Sequence, residues 1–415
     1  MKRIGKILAG LGIVGSGVFG SMTVNAASEI EIFSSKQENM DIMQKLVDGF
    51  NKSQDEVTVK LNAPADAGTV LKTRLAKNDV PDVLAFNYDH TMRELLQEGF
   101  FMDLSEDPLA DHCYDEYKNF IKADNNEDNP DALYALPYVA NAGGVIYNVD
   151  KFAELGVEIP KTWDEFMTVI EKIEEKGENP FLFPFKDSWT AMHPFIYLES
   201  VYQPENFEAD RKAGKTTYVG THEKITEMFL TLLDHTSTDY MGLSYADANK
   251  AFANGEAYMM INGNWVLPEI KKANPDCNVS MFTMPASNDA KKNAISTGVD
   301  LMFSISEDCK DPEGAKAFIE YMMQPEQAQA YIDDQVALSV IDTATQKDPS
   351  VSGIQDVIKK EKVHLFADMQ IPDGMDLGAE MSALCLNYSS GMSKKEATAE
   401  FLADMDEKFD TAIMQ

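Results

Sequence analysis

The chain has 415 residues, 44% apolar and 25% charged. That is a globular composition of two or three domains' size, which excludes a peptide or a disulfide-stapled mini-domain. Lys and Arg number 36 against 69 Asp and Glu, a formal net charge of −33. A field of that sign repels phosphate backbones and anionic lipid, which excludes nucleic acid and membrane surfaces as partners held by basic patches.

Lys2, Arg3 and Lys6 precede an apolar run from Ile7 to Phe19 and a polar stretch ending Val24-Asn25-Ala26. This pattern predicts a secretory signal over residues 1–26 and an exported mature chain. The same segment holds Gly10-Leu11-Gly12-Ile13-Val14-Gly15, a match to the dinucleotide fingerprint. That fingerprint works only where a strand turns into a helix, so a match inside a removable leader carries no chemistry. No cysteine stands at the expected cleavage point, so no lipid anchor is expected. Cys113, Cys277, Cys309 and Cys385 are dispersed without a C-x-x-C pair. An even count permits disulfides in an exported protein, but a core this large folds as well with free thiols.

After the leader, strands alternate with helices. Glu29 to Phe33 alternates as a strand, Ile42, Met43, Leu46, Val47 and Phe50 recur at helical spacing, and Val57, Val59 and Leu61 alternate again. Pro81-Asp82-Val83-Leu84-Ala85-Phe86 reads as a strand buried on both faces, completing the rhythm of a mostly parallel sheet. Thr162 and Glu165 fit a capping box whose helix turns Phe166, Val169, Ile170 and Ile173 inward, with Trp163 as packing. Asp311-Pro312 opens a helix that Pro325 stops, and residues 397–409 form a last amphipathic helix.

Catalytic and metal motifs are absent from the sequence. The six histidines come no closer than thirteen residues apart, which excludes a helical zinc pair. The acidic stretch Asp124 to Asn129 opens like a calcium loop but has Asn129 at the glycine position and Ala135 where the bidentate Glu belongs. No nucleophile elbow or cysteine-protease signature occurs. No catalytic residue, metal or cofactor is expected. Tyr88, Trp189 and Trp265 each stand beside amides, carboxylates or hydroxyls. A flat ring flanked by such groups suits a sugar, whose C–H face packs on the ring while its hydroxyls find donors and acceptors; ordinary core packing is equally open to each ring.

Several segments carry a resemblance: Pro81-Asp82-Val83, Asn87-Tyr88-Asp89, Tyr134-Ala135-Leu136-Pro137-Tyr138, Gly144-Val145-Ile146-Tyr147-Asn148 and Pro160-Lys161-Thr162-Trp163-Asp164-Glu165-Phe166. Ala251 to Ala257, Met259 to Trp265, Met284-Pro285 and Phe303 to Ser306 continue it over nearly the whole mature chain. In this order they resemble the extracellular solute-binding proteins of ABC importers, in particular the carbohydrate-binding family that includes maltose- and multiple-sugar-binding proteins. The resemblance implies an α/β, two-lobe periplasmic-binding-protein fold of type II with hinge strands. Lobe 1 would take residues 28–138 plus 300–342 and lobe 2 residues 139–299 plus 343–415, with crossings near Pro137 to Ala140, Val299 to Met302 and Ser339.

It also implies a non-enzymatic receptor that encloses a mono- or oligosaccharide and delivers it to membrane permease subunits, working as a monomer in the periplasm or at the cell surface. By this resemblance Ser35, Lys36, Asn87, Tyr88, Asp89 and Trp265 would touch the ligand, Trp265 as stacking platform; Trp189 joins them on its polar neighbours, and Asp300, which departs from the glycine-rich sequence common in the family there, is a polar contact or a hinge variation. A peptide, polyamine or other cationic solute in the same fold, or an exported glycosidase, are the competing readings.

Overall fold

The computed structural model describes residues 27–414 apart from 89, 124–128, 237–238, 359–362 and 373. The expected leader, its glycine run, Asp89 and most of the acidic loop lie outside the described residues.

Strand β1 (Ser28–Ser34) pairs in parallel with β2 (Val57–Asn62) on one side and β3 (Val83–Phe86) on the other. The helix Met40–Ser53 connects β1 to β2 and buries the five apolar side chains read from its spacing. All four residues of β3 are buried, as an apolar run without alternation requires. Six more strands follow: β4 (Leu136–Asn148), β5 (Met259–Gly263), β6 (Val279–Phe282), β7 (Ile295–Ile305), β8 (Leu338–Ser339) and β9 (Val363–Leu365). Their order is β2-β1-β3-β7-β4-β5, with β6 and β8 also on β4 and β9 on β7. The expected mostly parallel sheet is instead mixed: among the described strands three pairings are parallel and five antiparallel, because β4 and β7 run against most of their neighbours.

The two long strands join the ends of this sheet. The first half of β4 pairs with β7, while Gly143 to Asn148 pair with β5 and β6. β7 pairs antiparallel with β3 through Met302 to Ile305 and parallel with β9 through Ile295 to Thr297. The β4–β7 register shifts between Pro137 and Ala140, where Ser339 of β8 pairs with Val139. Such irregularity bends a strand and strengthens its twist.

Apolar side chains gather in two clusters. One holds β1 to β3 and the helices Pro312–Met323 and Pro325–Gln335, together with side chains from residues 248–281. The other holds the helices Trp163–Glu175, Trp189–Tyr202 and Glu223–Leu233 and the last two, Leu377–Ser389 and Lys394–Ala412. Trp265 packs against both.

Local signals act where they stand. Glu165 N–H donates to Thr162 Oγ1 at 3.3 Å, Thr162 N–H donates to Glu165 Oε2 at 3.2 Å, and the predicted inward face is buried. Asp311 caps its helix by accepting from Gly314 N–H at 2.9 Å. Pro325 ends that helix and opens the next, because its fixed φ and missing N–H suit a first helical turn. The four cysteines are free thiols. Among the described residues no helix is long and apolar enough to cross a membrane.

Candidate functional site

A cavity of about 530 Å³ lies where β1, β3, β4 and β7 of the sheet meet the helix Trp189–Tyr202 and the segment after β9. Ser35, Lys36, Asn87, Tyr88, Trp189, Trp265 and Asp300 all line it. Seven of the eight residues singled out from the sequence are thus brought together, and the eighth, Asp89, is outside the described residues. Ser35 and Lys36 follow β1, and Asn87 and Tyr88 follow β3; because these strands are parallel neighbours, their ends open at the same edge. Ser35 Oγ donates to Asn87 Oδ1 at 3.3 Å. Tyr88 N–H donates to Val299 O at 2.9 Å, and its side chain is buried.

One part of the lining is ionic. Lys36, only 7% exposed, reaches Asp300 Oδ1 at 2.5 Å and Glu38 Oε1 at 3.1 Å. Burial alone would push its ammonium pKa down, but the Asp300 and Glu38 carboxylates outweigh that and hold it above the usual lysine value. Asp300 Oδ1 also accepts from Asn141 Nδ2 at 3.0 Å. Charges so paired are held in place, which suits them to orient hydroxyl groups.

Another part is aromatic. Trp189, His193 and Tyr197 stand at i, i+4 and i+8 of one helix and so share a face. The His193 ring centre is 5.3 Å from that of Trp189 and 5.1 Å from that of Trp265, edge to face. Phe366 lies 6.3 Å from Trp265 and 6.5 Å from His193. Burial pushes the His193 pKa down to about 3, so the ring is neutral throughout the physiological range. Neither of its nitrogens, nor Trp265 Nε1, has a hydrogen-bond partner among the described residues.

Three glycines make room for these rings. A Cβ on Gly143 would lie 2.1 Å from the Tyr197 ring, one on Gly263 1.9 Å from the Trp265 ring, and one on Gly298 2.9 Å from the Phe366 ring. The lone side-chain hydrogen at each position therefore sets how close the rings come to the sheet. His193, Asn141 and Phe366 were not read from the sequence as site residues. The four-residue step from Trp189 to His193 is a signal that could have found one; Asn141 sits within an apolar strand, and Phe366 has no local mark.

A second cavity, of about 570 Å³, shares Glu38, Trp189 and Trp265 with the first and adds Gln37, Tyr245, Asn249, Glu269 and Lys272. Trp189 and Tyr245 pack with ring centres 5.0 Å apart.

The family model for bacterial extracellular solute-binding proteins matches residues 34–329. The Multiple sugar-binding protein of Streptococcus mutans is 31% identical over 313 residues, 73% of each chain. Among solved structures, SBP RafE in complex with raffinose superposes with a TM-score of 0.80 at 25% identity, over 93% of this chain and 100% of that one. The apo form of RafE from Streptococcus pneumoniae gives 0.77 at 25% identity, over 94% and 99%. The fold is the α/β periplasmic-binding-protein fold of type II. The matched span and the identity to a relative covered over most of its length show that the chain belongs to the bacterial extracellular solute-binding protein family.

Proposed function

We propose that this protein is a receptor for an oligosaccharide, which it binds without covalent chemistry and passes to the permease of an ABC importer. The observation that carries this reading is one cavity that combines the Trp189–His193–Trp265 ring cluster with the fixed Lys36–Asp300–Asn141 network. Rings take the C–H faces of a sugar, and paired polar groups take its hydroxyls. Ser35, Lys36, Asn87, Tyr88, Trp189, Trp265 and Asp300 are the assigned contacts, joined by His193 and Asn141. Asp89, which follows Tyr88 directly in the sequence, is proposed with them from the family resemblance.

Length of the ligand follows from the second cavity. Trp189 and Trp265 border both spaces, so a ligand with several rings gains contacts beyond those a single ring makes. Relatives include proteins named for multiple sugars, and for melibiose, raffinose and stachyose. A cationic solute would have to compete with Lys36, which already pairs with both Asp300 and Glu38.

The lobe division at 28–138 plus 300–342 and 139–299 plus 343–415 is supported by the strands that straddle the sheet and by the irregular register at Pro137 to Ala140. Closure of the lobes on the sugar would be what the permease recognises. The receptor acts as a monomer outside the cytoplasmic membrane, in the periplasm or at the cell surface.

Titration calorimetry with melibiose, raffinose and stachyose, with product analysis after long incubation, tests the reading. A dissociation constant near micromolar, about −8 kcal/mol, with intact sugar supports it. No heat with any of the three, or cleavage of the glycosidic bond, overturns it.

A further inference from the structure

The segment after β9 reaches the cavity from the far end of the chain, and one arginine ties it down. Phe366 N–H donates to Thr297 O at 3.0 Å, and β9 pairs with the first three residues of β7. Phe366, Asp368 and Met369 of this strap line the cavity. Phe366, Ala367 and Ile371 are buried in the second apolar cluster.

On the other side stands the helix His90–Gln97, which follows the Asn87-Tyr88 turn and buries Met92, Leu95 and Leu96 in the first cluster. From it the Arg93 guanidinium donates through Nη1 to Met369 O and through Nη2, at 2.9 Å, to Ile371 O. Arg93 is 7% exposed. Its two donors thus cross from one apolar cluster to backbone carbonyls carried by the other. A planar fork matches two carbonyls in a way a single ammonium cannot. Because the fork takes backbone carbonyls, it holds the strap without using the side chains of Phe366, Asp368 and Met369 that line the cavity.

We propose that Arg93 is a positioning residue that latches the strap 363–372 beside the cavity and so governs how long a bound sugar stays. This rests on the oligosaccharide reading for its ligand, but the latch itself does not. Anything that leaves the cavity past the strap must first part these two hydrogen bonds, so the latch acts on dissociation more than on association.

Hydrogen exchange of the unliganded protein tests the latch. Arg93→Met keeps an apolar stem and removes the fork; it is expected to speed exchange in 363–372 at least about tenfold, as loss of two charge-assisted hydrogen bonds implies. Arg93→Lys, which keeps the charge and reaches one carbonyl, should fall between and serves as the comparison should the methionine variant not fold. Stopped-flow measurement with raffinose should then show dissociation about tenfold faster in Arg93→Met with association changed less than about twofold. Exchange at wild-type rates in both variants overturns the latch. Faster exchange with unaltered raffinose dissociation overturns its control of retention. Absence of raffinose, melibiose and stachyose binding to the wild-type protein would sink the sugar reading instead, and the exchange comparison would still decide the latch.

Discussion

A Cβ built on Gly263 would lie 1.9 Å from Cζ3 of Trp265, two residues further along the chain. The indole thus lies back over the end of β5, and it does so because position 263 has no side chain. Gly263→Ala should expel the ring from this seat, costing about 1 to 3 kcal/mol in thermal or urea unfolding. It should also weaken sugar binding as much as Trp265→Ala, which is expected to lose at least about tenfold in affinity, or about 1.4 kcal/mol. Calorimetry on the two variants checks this; full binding by Gly263→Ala would show that the ring has another seat.

Lys36 and Asp300 stand 264 residues apart in sequence and are joined by a buried ion pair. Lys36→Met should destabilise the fold by about 3 to 5 kcal/mol, because it leaves Asp300 and Glu38 without the compensating charge. Pairing it with Asp300→Asn should recover part of that loss. Urea unfolding of both single variants and the double variant measures the coupling, and strictly additive losses would refute it.

Glu199 is buried on the Trp189–Tyr202 helix with its Oε1 at 3.3 Å from His222 Nε2. Burial pushes the carboxyl up from 4.5 to about 8 and the imidazole down from 6.5 to about 4, so both are neutral at physiological pH. A raised carboxyl pKa contributes stability that is fully present below the unfolded value and lost as pH rises toward the folded one. Glu199→Gln should therefore leave the melting temperature unchanged near pH 4.5 and raise stability on the order of 3 kcal/mol by pH 7. Melting curves from pH 4.5 to 8 read this out; a gain that does not grow with pH would contradict it.

The second cavity makes chain length a variable. Affinity should rise from melibiose through raffinose to stachyose, and Tyr245→Ala should reduce that rise while sparing melibiose. Tyr245 packs on Trp189 in the second cavity and does not line the first. Equal losses for all three sugars would place Tyr245 outside the ligand's path.

Features that depend on neighbours within a turn or a strand were legible in the sequence. The Thr162–Glu165 box, the Asp311 cap, the inward face of Met40–Ser53 and the buried run Val83 to Phe86 act through contacts no more than a few residues away. Loop residues such as Ser35 and Asn87 were marked by the family resemblance, which implies ligand contacts just after the first strand and after the Pro81-Asp82-Val83 strand. The pairings that build the cavity span the chain: Lys36 with Asp300, Asn141 with Asp300, Phe366 over Gly298, Arg93 with the strap. They depend on which strand lies beside which, and on β4 and β7 running the length of two cores. Local periodicity holds no record of that order, because propensity and amphipathicity act over a few residues, whereas sheet order follows from burying all apolar faces at once. Composition and spacing therefore specified the elements and their ends, while packing chose which of those ends would meet around the cavity.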